Sequence, residues 1–385
     1  MLVPRKDIAV VDGPIAGFPG VVRGGPLLFV SGCDGHRDPA TGRIVPALAA
    51  EAERQCENAY GRIAELLHRA GSSMDRVVRL DHFTSSQDWL PRRQTVRQRI
   101  FGKPAPLAST GVAAKMNGLN MITASAIAVA DPSDKELLVA GPRYGMANIA
   151  AAVRGGPFVF VSGIRGTLDP RSGARVAEET PEAFGAQTTV CYEVIQSILA
   201  ECHCSGDSIL RLDAFIRNAA RGLEHDAIRA ELLGPTPGAA TRVALPLSAR
   251  GEVEITALAA APGVARRSFA AGGEEPVAVA AGGFVFVGEC RGLPSNAGER
   301  TPLIGDARGQ LRRAVQMLEA ALRRAGTSLA NLVRLDVYLR DIYNADEAAR
   351  QLAALLHDSP PSIVIAGAEL EDSLEVKLSA IAVAA

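Results

Sequence analysis

Apolar and polar positions along this chain fall into one pattern written three times. A short apolar run closed by a glycine turn recurs as PLLFVSGCDG (Pro26 to Gly35), PFVFVSGIRG (Pro157 to Gly166) and GFVFVGECRG (Gly283 to Gly292). The continuous apolar runs, each closed by a Gly-containing turn, predict hairpin strands there, with polar loops such as Asp38-Pro39 and Asp169-Pro170 following them. Helical spacing comes next: Cys56, Tyr60, Ile63 and Leu67 share one helix face in the first copy, as do Leu311, Val315, Leu318 and Leu322 in the third. Gly71 and Gly326 stand where a helix C-terminus is expected.

A second strand phrase follows as VVRLDHF, ILRLDAF and LVRLDVY. Its arginines, Arg79, Arg211 and Arg334, are 132 and 123 residues apart, spacings of whole domains. Because side chains alternate across a sheet, Arg79, Asp81 and Phe83 share one face, and Leu80, His82 and Thr84 the other. The leucine row should meet helices, while the Arg-Asp row reads as a repeated structural ion pair, a ring fixing sheet against sheet. His82, on the apolar row, reads as a packed core histidine. Shorter helices are predicted near Arg92 to Phe101, Asp226 to Leu233 and Asp346 to Leu356, and final strands at Met121 to Val129, Glu252 to Ala260 and Glu375 to Val383. Each unit is thus ββαβαβ, an α+β sheet with helices on one face. Three such units, 1–132, 133–263 and 264–385, would cover their open faces by packing around a common axis as an intramolecular pseudo-trimer with a central sheet barrel.

Composition narrows the function. A net charge of −1 over 385 residues argues against a nucleic-acid partner. No apolar run reaches the ~18 to 20 residues of a membrane span, and Met1 to Asp12 lacks an apolar signal centre, so a cytoplasmic protein without membrane partners is expected. Six cysteines without a repeated framework read as thiols, and Cys202-His203-Cys204 reads as a helix terminus, since a zinc site normally needs a second ligand pair. Arginine greatly outnumbers lysine, which suits carboxylate recognition by a planar fork and also matches high-GC coding.

FVSG, the Asp-Pro loop, a helix entered by Gln55, Gln187-Thr188 and Gln310, the Arg-Leu-Asp strand and a terminal strand ending in AIA-like sequence resemble the YjgF/Rid family of enamine/imine deaminases. The resemblance covers nearly the whole chain, three times over. It implies a chorismate mutase-like fold, ligand sites in the clefts between units, hydrolysis of an enamine or imine to a ketone and ammonia, and no metal or organic cofactor. Fusion of three copies lets the 1/2, 2/3 and 3/1 clefts diverge, and the pseudo-trimer can associate further.

Two departures from the family pattern bear on mechanism. The Pro-Ala-Arg-Ser/Thr motif, whose arginine pairs with a substrate carboxylate, is matched by Pro106-Leu107-Ala108-Ser109, Gly238-Ala239-Ala240-Thr241 and Pro360-Pro361-Ser362-Ile363. The glutamate of the terminal strand aligns with Ser125, Thr256 and Ser379. Replacements are at hand: Glu254, Glu289 and Cys290 for the catalytic groups, and Arg165, Arg242, Arg291, Ser31, Cys33 and Gln94 for substrate binding. Arg242 is expected on the strand face of the lost arginine. Each has a plainer reading, with Glu254 salt-bridged, Cys33 and Cys290 packed, and Ser31 and Ser162 forming turns.

The leading expectation is a hydrolytic deaminase for an enamine or imine of a small carboxylic acid, with a 2-aminomuconate-type dicarboxylate as the named candidate. A non-catalytic small-molecule binder is the alternative. A ring-opening amidohydrolase would need repeated Ser-Lys pairs that the scattered lysines do not supply, and a chorismate-cleaving relative fits three complete repeats poorly.

Overall fold

The structure is a computed structural model that describes all residues except 1–5, 39–40, 42, 49–50, 168–179, 235–237, 248–250, 271–275, 294–305 and 372. The Asp38-Pro39 and Asp169-Pro170 loops thus lie partly or wholly outside the described residues. The first unit contains β1 (Lys6–Val10), β2 (Val21–Gly24), β3 (Leu27–Val30), β4 (Cys33–Asp34), α1 (Ala52–Arg69), β5 (Val77–Thr84), α2 (Leu90–Phe101), β6 (Ala108–Ala113) and β7 (Ile122–Val129). The second contains β8 (Lys135–Ala140), β9 (Ala150–Gly155), β10 (Phe158–Arg165), α3 (Phe184–Glu201), β11 (Ile209–Ile216), α4 (Gly222–Leu233), β12 (Ala239–Ala244) and β13 (Val253–Ala260). The third contains β14 (Arg266–Ala270), β15 (Pro276–Ala281), β16 (Phe284–Arg291), α5 (Ala307–Arg324), β17 (Leu332–Leu339), α6 (Ala345–Leu355), β18 (Ser362–Gly367) and β19 (Val376–Val383).

The sheets share one strand order, β1-β2-β3-β7-β5-β6, β8-β9-β10-β13-β11-β12 and β14-β15-β16-β19-β17-β18. Each unit therefore has more strands than the expected ββαβαβ: one before the hairpin (β1, β8, β14) and one between the second helix and the last strand (β6, β12, β18), with the short β4 besides in the first unit. Of these, β1, β8 and β14 are edge strands rich in Lys, Arg, Asp and Glu, a composition that blunts an exposed edge in the sheet. The hairpin partner of Leu27–Val30 also precedes it, with the turn at Gly25, which has φ +51°. None of the three sheets closes on itself; each is open, with β1, β8 or β14 at one edge and β6, β12 or β18 at the other.

The helix ends follow the sequence. Gly71 and Gly326 adopt φ of 74° and 81° just past α1 and α5. After α3 that place belongs to His203, φ 56°, which accounts for Cys202-His203-Cys204 as a chain reversal. No helix among the described residues is long and apolar enough to cross a membrane.

The two faces of the Arg-Leu-Asp strands separate as their alternation predicts. Leu80, Leu212 and Leu335 pack under the helices in three separate cores. On the other face the units meet one another: Phe29, Phe158, Phe160, Phe284 and Phe286 belong to one core that draws residues from all three sheets. Phe158 meets Phe284 and Phe286 edge-on with centroids 5.3 Å apart. Burying each such ring is worth roughly 1.5–3 kcal/mol. Phe83, Phe215 and Tyr338 join a second shared core.

Between these two cores lies the predicted ring of charge. Arg79, Arg211 and Arg334 each hold the aspartate two residues on, with Nε–Oδ distances of 2.9 Å. Each also donates to a hydroxyl of the next unit: Arg79 to Thr256 (2.7 Å), Arg211 to Ser379 (3.1 Å) and Arg334 to Ser125 (3.2 Å). Arg211 further reaches Asp336, and Arg334 lies 3.8 Å from Asp81. Buried pairs of this kind specify geometry more than they add net stability.

The glutamines are scaffold as well. Gln55 Nε2 donates to Leu48 and Leu119 carbonyls while its Oε1 accepts from Met121 N, tying α1 to the approach of β7. Gln187 and Gln310 accept from Glu252 N and Glu375 N in the same way. His82 is buried, with Nε2 2.6 Å from Tyr60 Oη and Nδ1 3.2 Å from the Thr110 carbonyl. Burial, with Arg93 and Arg97 nearby, pushes its pKa well down and keeps the ring neutral.

Candidate functional site

The units abut where the penultimate strand of one meets the FVSG-type strand of the next. Ser162 Oγ accepts from Ser109 N (2.9 Å) and donates to the Ala150 carbonyl (2.7 Å), joining the second sheet to the first. Ser31 does the same between the first and third, accepting from Ile363 N at 2.9 Å and donating to the Pro19 carbonyl at 2.7 Å. Ser31 is thus committed to an inter-sheet bond.

At the 1/2 contact a cavity of about 140 Å³ is lined by residues of both units, among them Arg93, Gln94, Arg97, Thr110, Arg165 and Glu254. Glu254, on β13, is buried, and its Oε1 accepts from Thr110 Oγ1 (2.6 Å) and Gly111 N (3.3 Å). Its Oε2 lies 3.8 Å from Arg165 Nε. Gly163 permits this approach, since a Cβ there would stand 2.1 Å from Thr110 Oγ1 and 2.3 Å from Glu254 Oε1.

Opposite Glu254, α2 presents Arg93 and Arg97, four residues apart and so on one helix face. Both are buried. Arg97 Nη1 donates to Ser109 Oγ at 3.3 Å. Burial, with Arg93 alongside, lowers the Arg97 pKa to about 10. Arg93 is 6 % exposed, its Nε has no hydrogen-bond partner, and its pKa is pulled down by burial. Neither arginine stands out in the sequence, where RRQTVRQR looks like a solvated helix and the arginine excess like composition. The usable signal is that Arg93 and Arg97 flank Val96 on the face that must meet the sheet.

The 2/3 contact is built from the same positions and different residues. Lys377 takes the place of Glu254, Glu289 that of Gly163, and Asp226 that of Gln94. Lys377 is 0 % exposed, and its Nζ binds Glu289 Oε2 (3.0 Å), Glu371 Oε1 (3.0 Å) and the Arg242 carbonyl (2.5 Å). Arg291 Nε donates to Glu289 Oε1 at 2.6 Å, and Arg242 pairs with Asp226 and, at 3.1 Å, with Glu371. Burial raises the Glu289 pKa, but Lys377, Arg291 and Arg242 outweigh it and bring it down to about 2. This cleft supplies its own counter-ions.

The 3/1 contact carries Asp34 and Thr123 at the positions of Arg165 and Glu254, bonded to each other at 2.6 Å and tied by Asn120. Its helix, α6, presents Ala348 and Leu352 where α2 has Arg93 and Arg97.

The expected site residues are thus divided. Glu254, Arg165 and Gln94 meet in the 1/2 cleft, whereas Arg242, Glu289 and Arg291 meet in the 2/3 cleft. Strand register pairs Ala108, Ala239 and Ser362 with Arg79, Arg211 and Arg334, so Ala239 stands at the lost arginine's place in the second unit. Arg242, opposite Ala214, is equivalent to Gly111 and Ile365 and turns toward α4, not to the expected face. Ser125, Thr256 and Ser379 belong to the charge ring, while the positions two residues earlier, Thr123, Glu254 and Lys377, face the clefts. Cys33 and Cys290 pack in helix-side cores. Burial pushes both thiols up, Cys290 to about 12.

A family model described as Endoribonuclease L-PSP matches residues 11–129 and 271–384. The chain belongs to that family, the one the YjgF/Rid resemblance implied. Among solved structures it is similar to a chorismatase at 17% identity and TM-score 0.52, over 80% of this chain and 93% of that one. A putative endoribonuclease from Thermotoga maritima is 29% identical with TM-score 0.28, over 32% of this chain and 97% of its own. The YjgF gene product of E. coli is 18% identical with TM-score 0.27, over 32% and 94%. No curated protein matches the chain. The likeness to chorismatase shows a shared fold of three sheet-plus-helix units.

Proposed function

We propose that this protein is a hydrolytic deaminase acting on the enamine or imine of a small carboxylic acid in the cleft between its first and second units, with the three units forming a pseudo-trimer in one chain. The observation that carries the reading is Glu254. This carboxylate is fixed through Oε1 by Thr110 and Gly111, its Oε2 lies 3.8 Å from Arg165 Nε, and the residue lines a cavity with arginines on both walls. The substrate enamine tautomerises to the imine, and water adds to the C=N carbon as Glu254 accepts its proton. The resulting carbinolamine collapses to the ketone, and the returned proton leaves with nitrogen as ammonia. Arg93 and Arg97 on one wall and Arg165 on the other suit a substrate with two carboxylates, which favours the 2-aminomuconate type.

The test is ammonia release from freshly generated 2-aminomuconate and 2-aminoacrylate, with pyruvate release from chorismate run in parallel. Release from neither enamine overturns the deaminase. Pyruvate from chorismate alone would assign the cleft to enol-ether hydrolysis.

A non-catalytic binder is the second reading, favoured by the separation of Arg242 and Arg291 from Arg165 and Glu254. It predicts saturable binding of small carboxylates with no turnover.

A further inference from the structure

The 2/3 cleft shows what the 1/2 cleft lacks. In both, a guanidinium is wedged between the second helix and the penultimate strand, against a glycine of the facing element. Arg242 comes from β12 and lies on Gly222, where a Cβ would stand 2.7 Å from its Cζ. Arg93 comes from α2 and lies on Gly111, where a Cβ would stand 1.7 Å from its Nη1. Arg242 pairs through Nη1 with Asp226 and through Nη2 with Glu371, leaving only its Nε without a partner, and Glu289 neutralises its neighbours Arg291 and Lys377. In the 1/2 cleft the counterparts of Asp226 and Glu289 are Gln94 and Gly163. Among the described residues Arg93 forms no ion pair, its Nε has no hydrogen-bond partner, and the one carboxylate lining its cavity, Glu254, is bonded to Thr110 and Gly111. A buried guanidinium without an acceptor is costly unless an anion completes it.

We propose that Arg93 is the residue that anchors a substrate carboxylate, so that the protein receives its ligand's anion on helix α2. The carboxylate takes the place that Asp226 and Glu371 hold toward Arg242, with Arg97 adding charge one turn along. This rests on the cleft assigned above to catalysis, though not on the reaction assigned to it.

Calorimetric titration with fumarate, an inert short dicarboxylate, tests the anchor on the full chain. Arg93→Gln should weaken binding by about tenfold or more, Arg93→Lys by less because an ammonium offers no fork, and Arg92→Gln, exposed on the same helix, by less than about twofold. Unchanged affinity in Arg93→Gln, or no binding by the parent protein, overturns the proposal. Should Arg93→Gln fail to fold, a crystal of the parent protein with fumarate decides. A carboxylate on the Arg93 guanidinium supports the anchor, and a carboxylate elsewhere or none refutes it. Fumarate binding that depends on Arg93 without ammonia release would keep the anchor and remove the deaminase.

Discussion

Arg211 Nη2 lies 2.8 Å from Asp336 Oδ2, so a carboxylate of the third sheet shares in neutralising a guanidinium of the second. Asp213 and Asp336 both depend on Arg211. Replacing it with methionine leaves two buried carboxylates short of a partner, and urea denaturation should show a loss of about 3–5 kcal/mol. A loss below about 1 kcal/mol would mean the ring is incidental to stability.

Gly111 is the floor beneath Arg93. Gly111→Ala brings a methyl onto the guanidinium and forces it out of the cleft, while Glu254 keeps Thr110. We expect KM to rise about tenfold or more with kcat less affected, the signature of lost ground-state binding. An unchanged KM would show that Arg93 does not hold substrate.

Glu254→Gln retains the size and the bonds from Thr110 and Gly111 and removes the base. Turnover should fall about a hundred- to ten-thousand-fold, with fumarate affinity little altered. Turnover near that of the parent would assign the proton transfer to another group.

The 2/3 network predicts an acid limb. Glu289 has a folded pKa of about 2 against an ordinary 4.5, so the unfolded chain takes up its proton first as pH falls. The associated stability, on the order of 3 kcal/mol, is complete above about 4.5 and is lost as pH drops toward 2. Chemical denaturation between those values should show a shallower decline in Glu289→Gln. Parallel curves would indicate that Glu289 is not the titrating group.

The repeat, the two faces of the Arg-Leu-Asp strand and the glycine-ended helices were legible because each is a local pattern stated three times. The edge strands β1, β8 and β14 were not, since a short charged segment becomes a strand only beside its neighbour. The placement of the site was legible in part. Glu254 and Arg165 stand out as irregularities between copies, yet Arg242 looks equally irregular and turns out to be neutralised by Asp226 and Glu371. What separates them is the company each keeps across a unit boundary, which no linear spacing encodes. Arg93 was hidden for the opposite reason: on a polar helix, an arginine draws notice only once its surroundings are known to be buried.

Lys377, wholly enclosed at the position that Glu254 holds in the neighbouring unit, has a numerical consequence. A homotrimer of identical subunits would offer a ligand three equal sites. Here the second cleft is corked by its own ammonium and carboxylates, and the third presents Ala348 and Leu352. Saturation should therefore count one anion per 385-residue chain, with a single affinity and no cooperativity among clefts.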